Sequence, residues 1–215
     1  MKAVIFDMDG VLVETDHLFE HFVSNFLKKL GVEAPPDIDR YRGMTSQDQW
    51  KILKRKLGLK LPVKKLVTEA REKYLGYLES IPHIEAVDGV TQLIKELSVA
   101  KIKMAVASSA NPVRMKKLLK RVGIDSAFGV MISADDVARG KPAPDCFLLA
   151  AKKMDVLPTD CVVIEDAERG ILAARAAGMK CVGYKGSSEN QDDLRGSDVI
   201  INSFRDLTLT KLRNL

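Results

Sequence analysis

The chain begins Met1-Lys2-Ala3-Val4-Ile5-Phe6-Asp7-Met8-Asp9-Gly10, and this stretch decides its fold. Ala3 to Phe6 form a short apolar run that ends abruptly at polar residues, which is typical of a buried strand in a parallel sheet. Ligands of open α/β sheets bind just beyond this end of the strands. Asp7 and Asp9 are two residues apart, so in an extended chain they point the same way. Because neighbouring anions need a positive partner, the stretch indicates a site for a divalent metal, a substrate or both, unless it is ordinary turn chemistry.

Size and composition are those of a soluble globular protein. The chain has 215 residues, 46% of them hydrophobic, which is enough for one domain plus a smaller one. No apolar stretch reaches the ~20 residues of a membrane helix, and the first residues lack the pattern of a secretory signal, so we expect a cytoplasmic protein with no membrane partner. The net charge of +5 is spread over several predicted helices without an arginine-rich arm, which predicts no nucleic-acid partner.

The three cysteines, Cys146, Cys161 and Cys181, lie in scattered apolar contexts. Their spacing does not match a metal site. We expect them to be small buried side chains of a protein in a reducing compartment.

The segment from residue 14 to residue 81 carries helical periods alone. Apolar residues recur at three- and four-residue spacing in three stretches, which are separated by breaks at Gly31 and Gly58. Thr15 or Asp16 is expected to cap the first of these helices, and Thr45 or Ser46 the second. We therefore predict that residues 14–81 form a small α-helical domain inserted after the first strand.

Strands and helices alternate from residue 82 onward. Residues 102–107, 130–132 and 161–164 are predicted strands, and helical patterns of suitable length separate them. Asn111 followed by Pro112 marks the start of one helix, with a cap and then a first helical residue. The pattern predicts an α/β fold whose core, residues 1–13 and 82–215, is a doubly wound, Rossmann-like parallel sheet.

Acids, hydroxyls and one base follow the predicted strands: Asp7, Asp9, Ser108, Ser109, Lys141, Glu165 and Asp166. Taken singly, each has a structural explanation, such as helix capping by Ser108 or Asn111, or a surface position for Lys141. In a parallel sheet, however, the carboxyl ends of the strands share one edge, so the whole set converges there. Together these residues predict a catalytic site.

Four ordered motifs resemble those of the haloacid dehalogenase (HAD) superfamily: Asp7-Met8-Asp9-Gly10, Ser108-Ser109-Ala110-Asn111, Lys141-Pro142-Ala143-Pro144-Asp145 and Glu165-Asp166-Ala167-Glu168-Arg169-Gly170. The resemblance covers essentially the whole chain and includes the helical insertion, which is called the cap in that family. The chain is most similar to the branch that contains phosphoglycolate phosphatases, small sugar phosphatases and β-phosphoglucomutase. The motif set is specific for the superfamily and says little about the substrate.

The resemblance implies hydrolysis of a phosphomonoester with Mg²⁺ as cofactor. Asp7 would be the nucleophile that forms an aspartyl-phosphate, and Asp9 would protonate the leaving group and then activate water. Lys141 would balance the negative charge on Asp7 and on the phosphoryl group. The metal would be held by Asp7, by the backbone carbonyl of Asp9 and by Asp166, with Glu165 binding it directly or through water.

A further set of residues is expected to contact the phosphorylated substrate: Gly10, Arg42, Gly43, Ser108, Ser109, Asn111 and Lys141. Ser108 and the backbone N–H of Ser109 would hold phosphoryl oxygens at a helix N-terminus. The turn that contains Arg42 and Gly43 would close over the substrate as the cap moves about hinges near residues 14–15 and 81–87. For Arg42, a position that simply faces solvent is an equal alternative.

The favoured activity is that of a phosphatase acting on a small phosphorylated metabolite, either a sugar phosphate or a phosphoglycolate-like compound. The alternative is a phosphosugar mutase similar to β-phosphoglucomutase. In mutases the residue two after a Gly-Val/Met pair of the cap tends to be arginine, where this chain has Ser46, and a hinge histidine is expected where it has Phe19. Substitution by Arg40, Arg42 or Lys51 is left open. A non-catalytic binding protein on the same fold is a remote alternative, because no motif residue is missing. We expect a monomer or a homodimer.

Overall fold

The computed structural model describes residues 1–41, 43–186 and 193–215, with the side chains of all of these except Asp16, Asp39 and Arg40. In this part of the chain six strands form one sheet: β1 (Ala3–Phe6), β2 (Lys103–Ser108), β3 (Val130–Ser133), β4 (Cys161–Glu165), β5 (Lys180–Tyr184) and β6 (Val199–Ile201). The helices are α1 (Asp16–Lys29), α2 (Ser46–Leu57), α3 (Val63–Ser80), α4 (Val90–Val99), α5 (Pro112–Arg121), α6 (Asp145–Met154), α7 (Glu168–Ala176) and α8 (Leu209–Arg213). No helix in the described ranges has the length and apolar character needed to cross a membrane.

The sheet is parallel throughout and has the strand order β3-β2-β1-β4-β5-β6. The first strand therefore lies in the middle, where the order reverses, and this is the position at which open α/β sheets bind ligands. Phe6 is level with Val106 on one side and with Ile164 on the other. The carboxyl ends of β1, β2 and β4 consequently lie side by side, and the predicted doubly wound parallel sheet is confirmed.

Alternation along β1 explains why helices cover both faces of the sheet. Val4 and Phe6 pack into one core cluster, while Ala3 and Ile5 pack into the other, and all four are fully buried. Helices α4, α5 and α8 contribute to the first cluster, and α6 and α7 to the second. Burial of one Phe or Ile side chain contributes about 1.5–3 kcal/mol, so a strand that is apolar on both sides is held most stably at this central position.

Helices α1, α2 and α3 lie between β1 and β2 in the chain and pack on each other through aromatic side chains. The ring centroids of Phe22 and Tyr74 are 4.8 Å apart, and those of Phe26 and Trp50 are 5.2 Å apart. The two chain crossings that join this helical segment to the rest run alongside each other, since Glu14 N–H donates to Glu85 O over 3.1 Å. The domain bounds at residues 14 and 81 and the hinges stay predictions.

Helix starts follow the expected chemistry at two of three positions. The Thr45 hydroxyl accepts a hydrogen bond from the N–H of Asp48 over 3.1 Å, and Oδ1 of Asn111 accepts one from the N–H of Arg114 over 3.0 Å. Both predicted caps are thereby confirmed. At the start of α1, Thr15 occupies the predicted cap position, but its side chain makes no capping hydrogen bond; the side chain of Asp16 lies outside the described part of the chain.

Side chains hold the helical segment over the carboxyl edge of the sheet. Arg71 of α3 makes a bidentate ion pair with Asp135 of the core, with N–O distances of 2.8 and 3.1 Å. The hydroxyl of Ser109 donates to the carbonyl of Gly43 over 2.7 Å. These contacts close the space above β1, β2 and β4.

Candidate active site

A cavity of about 100 Å³ lies where the helical segment covers the sheet. Its floor contains most of the predicted residues: Asp7, Asp9, Ser108, Ser109, Asn111, Glu165 and Asp166, with Gly43 on the opposite side. The parallel register brings them together, because Asp7 directly follows β1 while Ser108 and Glu165 are the last residues of β2 and β4. Residues that are more than 150 positions apart in the sequence thus share one site.

Lys141 lies buried beneath this floor as the cation between two carboxylates. Its Nζ is 2.5 Å from Oδ1 of Asp7 and 2.5 Å from Oε1 of Glu165, and it donates to the carbonyl of Ala107 over 3.0 Å. Burial by itself would lower the pKa of Lys141, but the charges of Asp7 and Glu165 outweigh it and raise the pKa above its usual value. The lysine therefore stays charged and neutralises part of the negative charge of the site.

Carboxylate oxygens of Asp7, Glu165 and Asp166 all lie within 4.8 Å of one another, and all three residues are buried. The pKa of Asp7 is raised to about 7, because burial and the charges of Glu165 and Asp9 together outweigh the lowering effect of Lys141. Lys141 thus offsets one of the two carboxylate charges that it contacts, those of Asp7 and Glu165. A divalent cation bound by hard oxygen ligands would offset the other, and the donor set fits one.

Backbone N–H groups also hold the Glu165 carboxylate in place, in addition to Lys141. Its Oε2 accepts hydrogen bonds from the backbone N–H groups of Asp166 and Ala167 over 3.0 and 3.1 Å. The first turn of α7 comes so close that a Cβ placed on Gly170 would lie 2.5 Å from this oxygen and closer still to Oε1 and Cδ. A glycine is therefore required at position 170 for Glu165 to keep its place.

Asp9 is held from two sides by residues that the sequence did not assign to the site. The Thr15 hydroxyl donates to Oδ1 over 2.6 Å, and the guanidinium of Arg114 donates to Oδ2. Arg114 in turn lies over the ring of Tyr74, 5.3 Å from its centroid. From the sequence, Thr15 was interpreted as a helix cap, which gave no indication of a contact with Asp9. Arg114 could have been predicted to lie near the site, because it is in the first turn of the helix that begins there.

The remaining predicted residues are placed as follows. Oγ of Ser108 accepts the N–H of Ala110 over 3.1 Å, and Asn111 caps α5, so both order the start of that helix. The N–H of Gly10 donates to Val13 O over 3.0 Å, and its φ of +76° makes the turn after β1; a contact with phosphate stays a prediction for this residue. Arg42 lies outside the described residues.

Aromatic and aliphatic side chains form the wall of the cavity that faces the site from the helical segment. Phe19 and Trp50 lie on this wall, together with Met44 and Tyr74. Gln49 also lines the cavity and is only 4% exposed. The sequence placed Phe19 near the hinge and Met44 in the turn, with Arg42 and Gly43, that was expected to close over the substrate. It did not assign Gln49, Trp50 or Tyr74 to the site.

The site and fold agree with a known family model. The model for haloacid dehalogenase-like hydrolases matches residues 4–184, which include all four motifs quoted above and the helical insertion.

Individual relatives match over nearly their full length. The chain is 31% identical to a β-phosphoglucomutase of Bacillus subtilis, over 99% of this chain and 94% of that protein. It is 34% identical to a fructose-1-phosphate phosphatase of Escherichia coli, over 84% of this chain and 94% of that protein. Among solved structures, CbbY from Rhodobacter sphaeroides in complex with phosphate superposes with a TM-score of 0.89 at 26% identity, over 99% of both chains.

Proposed function

Since this chain belongs to the haloacid dehalogenase-like hydrolase family, we propose that it is a Mg²⁺-dependent phosphatase that hydrolyses a small phosphorylated metabolite through an aspartyl-phosphate. The observation that supports this most directly is the buried group of Asp7, Lys141 and Glu165, with Asp166 beside it and Asp9 in the same cavity. It provides a nucleophile, a fixed cation, ligands for a metal and a proton carrier in one site.

In the first step a carboxylate oxygen of Asp7 attacks phosphorus, and the bond between phosphorus and the ester oxygen breaks. Lys141 holds Asp7 in place and offsets its charge as the phosphoryl group approaches. Asp9 gives a proton to the departing alkoxide, which leaves as an alcohol. Bound Mg²⁺ supplies positive charge that screens the encounter of two anions.

In the second step a water molecule attacks phosphorus and the Asp7–phosphorus bond breaks. Asp9, now ionised, takes the proton of that water, so inorganic phosphate is released and both acids return to their starting states. The hydrogen bonds from Thr15 and Arg114 fix the direction of Asp9 through both proton transfers. The Ser108–Ser109 turn at the start of α5 offers hydroxyl and N–H groups to phosphoryl oxygens.

A phosphosugar mutase is the second candidate, because a β-phosphoglucomutase is among the relatives that match over the whole chain. A mutase keeps both phosphates of a sugar bisphosphate in the cavity and therefore needs cations on the cap side. Phe19 and Ser46 line the cavity at the positions where the resemblance would place a histidine and an arginine in a mutase. This difference favours the phosphatase.

The test is release of inorganic phosphate from a panel of phosphomonoesters, with and without Mg²⁺, by the native chain, by Asp7→Asn and by the control Asp155→Asn. Asp155 is exposed at the end of α6, so its variant controls for the chemical change itself. We expect Mg²⁺-dependent turnover that Asp7→Asn abolishes and Asp155→Asn retains.

Two outcomes would contradict the proposal. Equal rates in Asp7→Asn and the native chain would remove Asp7 as nucleophile. Fast interconversion of β-glucose 1-phosphate and glucose 6-phosphate with slow phosphate release would instead establish the mutase.

A further inference from the structure

The cap side of the cavity consists mostly of carbon. Phe19, Val23, Trp50 and Ala70 line it, together with the ring of Tyr74. Trp50 and Tyr74 are 2% and 6% exposed, so only a small, mainly apolar part of each residue faces the cavity. A polyhydroxylated leaving group placed against it would lose hydrogen bonds to water without replacement, and each such hydroxyl weakens binding by about tenfold.

Among the residues that the structure describes, two arginines line the cavity, and both are already engaged with carboxylates. Arg114 is paired with Asp9, and Arg71 with both oxygens of Asp135. Their charges are therefore offset before a substrate arrives. A second anionic group on the leaving part would have to break one of these pairs to reach either arginine.

Two hydrogen-bond donors on the cavity wall have no acceptor within the described residues. They are the buried Nε2 of Gln49 and the buried Nε of Arg71, and both residues line the cavity. A buried donor without a partner is costly and uncommon in folded proteins. A ligand atom that accepts a hydrogen bond would relieve this cost.

We propose, on the basis of the phosphatase function above, that the substrate is the phosphate ester of a small, flat and largely apolar alcohol whose ring or side chain carries one or two hydrogen-bond acceptors. The ester oxygen faces Asp9, the ring packs between Trp50, Phe19 and Tyr74, and the acceptor faces Gln49. Aromatic rings pack favourably on such surfaces through offset or edge contacts. The cavity volume of about 100 Å³ favours a small leaving group.

The first experiment compares phosphates of primary alcohols, whose intrinsic reactivities are similar. The probes are benzyl phosphate, the three isomeric pyridylmethyl phosphates, glucose 6-phosphate and fructose 1-phosphate, each with Mg²⁺. We expect kcat/KM for benzyl phosphate to exceed that for both sugar phosphates by at least about tenfold. One pyridylmethyl isomer should gain a further factor of about three to ten, because its ring nitrogen accepts the hydrogen bond from Gln49.

The second experiment uses Gln49→Leu, with Gln47→Leu as the matched control. Both residues are on α2, but Gln47 is exposed. Gln49→Leu should remove the advantage of the pyridylmethyl ester over benzyl phosphate, whereas Gln47→Leu should keep it. Gln49→Leu should also unfold at the same or a higher temperature than the native chain, because it removes a buried amide without a partner.

The outcomes test the proposed substrate class and the proposed phosphatase activity separately. Sugar phosphates hydrolysed as well as benzyl phosphate would overturn the apolar leaving group and leave the phosphatase intact. A pyridylmethyl preference that survives Gln49→Leu would overturn the role of Gln49. No Mg²⁺-dependent hydrolysis of any ester would overturn the proposed function, and this inference with it.

Discussion

Substitution of Gly170 by alanine sets local helix preference against a close tertiary contact. Gly170 is in the first turn of α7, and replacing a helical glycine by alanine ordinarily stabilises a protein by about 0.5–1 kcal/mol. Here the new Cβ would lie 2.5 Å from Oε2 of Glu165 and closer to the other two carboxyl atoms, where real Cβ atoms keep at least 3.0 Å. The carboxylate must therefore move.

Displacement of the Glu165 carboxylate is costly because this side chain is buried and both of its oxygens have hydrogen-bond partners. It is 1% exposed, it pairs with Lys141 at 2.5 Å, and it accepts the N–H groups of Asp166 and Ala167. Breaking a buried ion pair of this kind costs about 3–5 kcal/mol. After the helix gain is subtracted, we expect Gly170→Ala to lower the free energy of unfolding by about 2–4 kcal/mol.

Urea denaturation at pH 7.5 with EDTA measures this value, and Gly76→Ala is the matched control. Gly76 is an exposed glycine inside α3 with no atom near the Cβ position, so alanine there should raise the free energy of unfolding by about 0.5–1 kcal/mol. Gly170→Ala should also lower kcat/KM about a hundredfold, because misplacement of a catalytic group by about 1 Å has an effect of that order.

A Gly170→Ala chain as stable as the native one would refute the reasoning, since it would show that Glu165 can move without losing its partners. A fall in stability with unchanged kcat/KM would contradict the link between Glu165, Lys141 and the proposed nucleophile Asp7. Destabilisation of Gly76→Ala to the same extent would show that the effect is not specific to the site.

Three further outcomes are expected. Arg114→Met should lower kcat by about ten- to a hundredfold in steady-state assays, because Asp9 loses one of its two anchors; an unchanged kcat would contradict this role. Asn111→Ala should lower the free energy of unfolding by about 1 kcal/mol in urea, since α5 loses its capping acceptor; a loss below about 0.3 kcal/mol would count against the cap. Burial raises the pKa of the Cys146 and Cys161 thiols to about 11 and raises that of Cys181 as well. A raised pKa leaves the neutral thiol at pH 8, so iodoacetamide should label the folded chain slowly and the urea-unfolded chain at all three cysteines, as mass spectrometry can show.

Secondary structure and fold class were predictable because they depend on local patterns. The residues from Ala3 to Phe6 are buried on both faces of the sheet. Such a strand is apolar at every position instead of alternating between apolar and polar residues, so the continuous apolar run indicated a central strand. Asn111-Pro112 and Thr45 marked helix starts through side-chain chemistry that is complete within four residues. Thr15 was the exception, because its hydroxyl has a partner outside the helix.

The residues on the floor of the site were likewise predictable, from their positions directly after the predicted strands in the sequence. Each acid or hydroxyl follows a strand, and parallel strands end at one edge, so Asp7, Ser108 and Glu165 had to meet. The pairing of Lys141 with two carboxylates needed the tertiary structure, since a lysine in a loop has no local pattern that distinguishes a buried position from an exposed one.

The sequence by itself determined a parallel α/β sheet with an inserted helical segment and the acids at its carboxyl edge, because periodicity and strand ends are properties of neighbouring residues. The tertiary structure alone decided what faces those acids. Arg114 beside Asp9, Gly170 against Glu165 and the wall that contains Trp50 arise from segments far apart in the chain. Such contacts depend on how helices pack over the sheet, and that packing is fixed by side-chain shape and burial across the whole molecule.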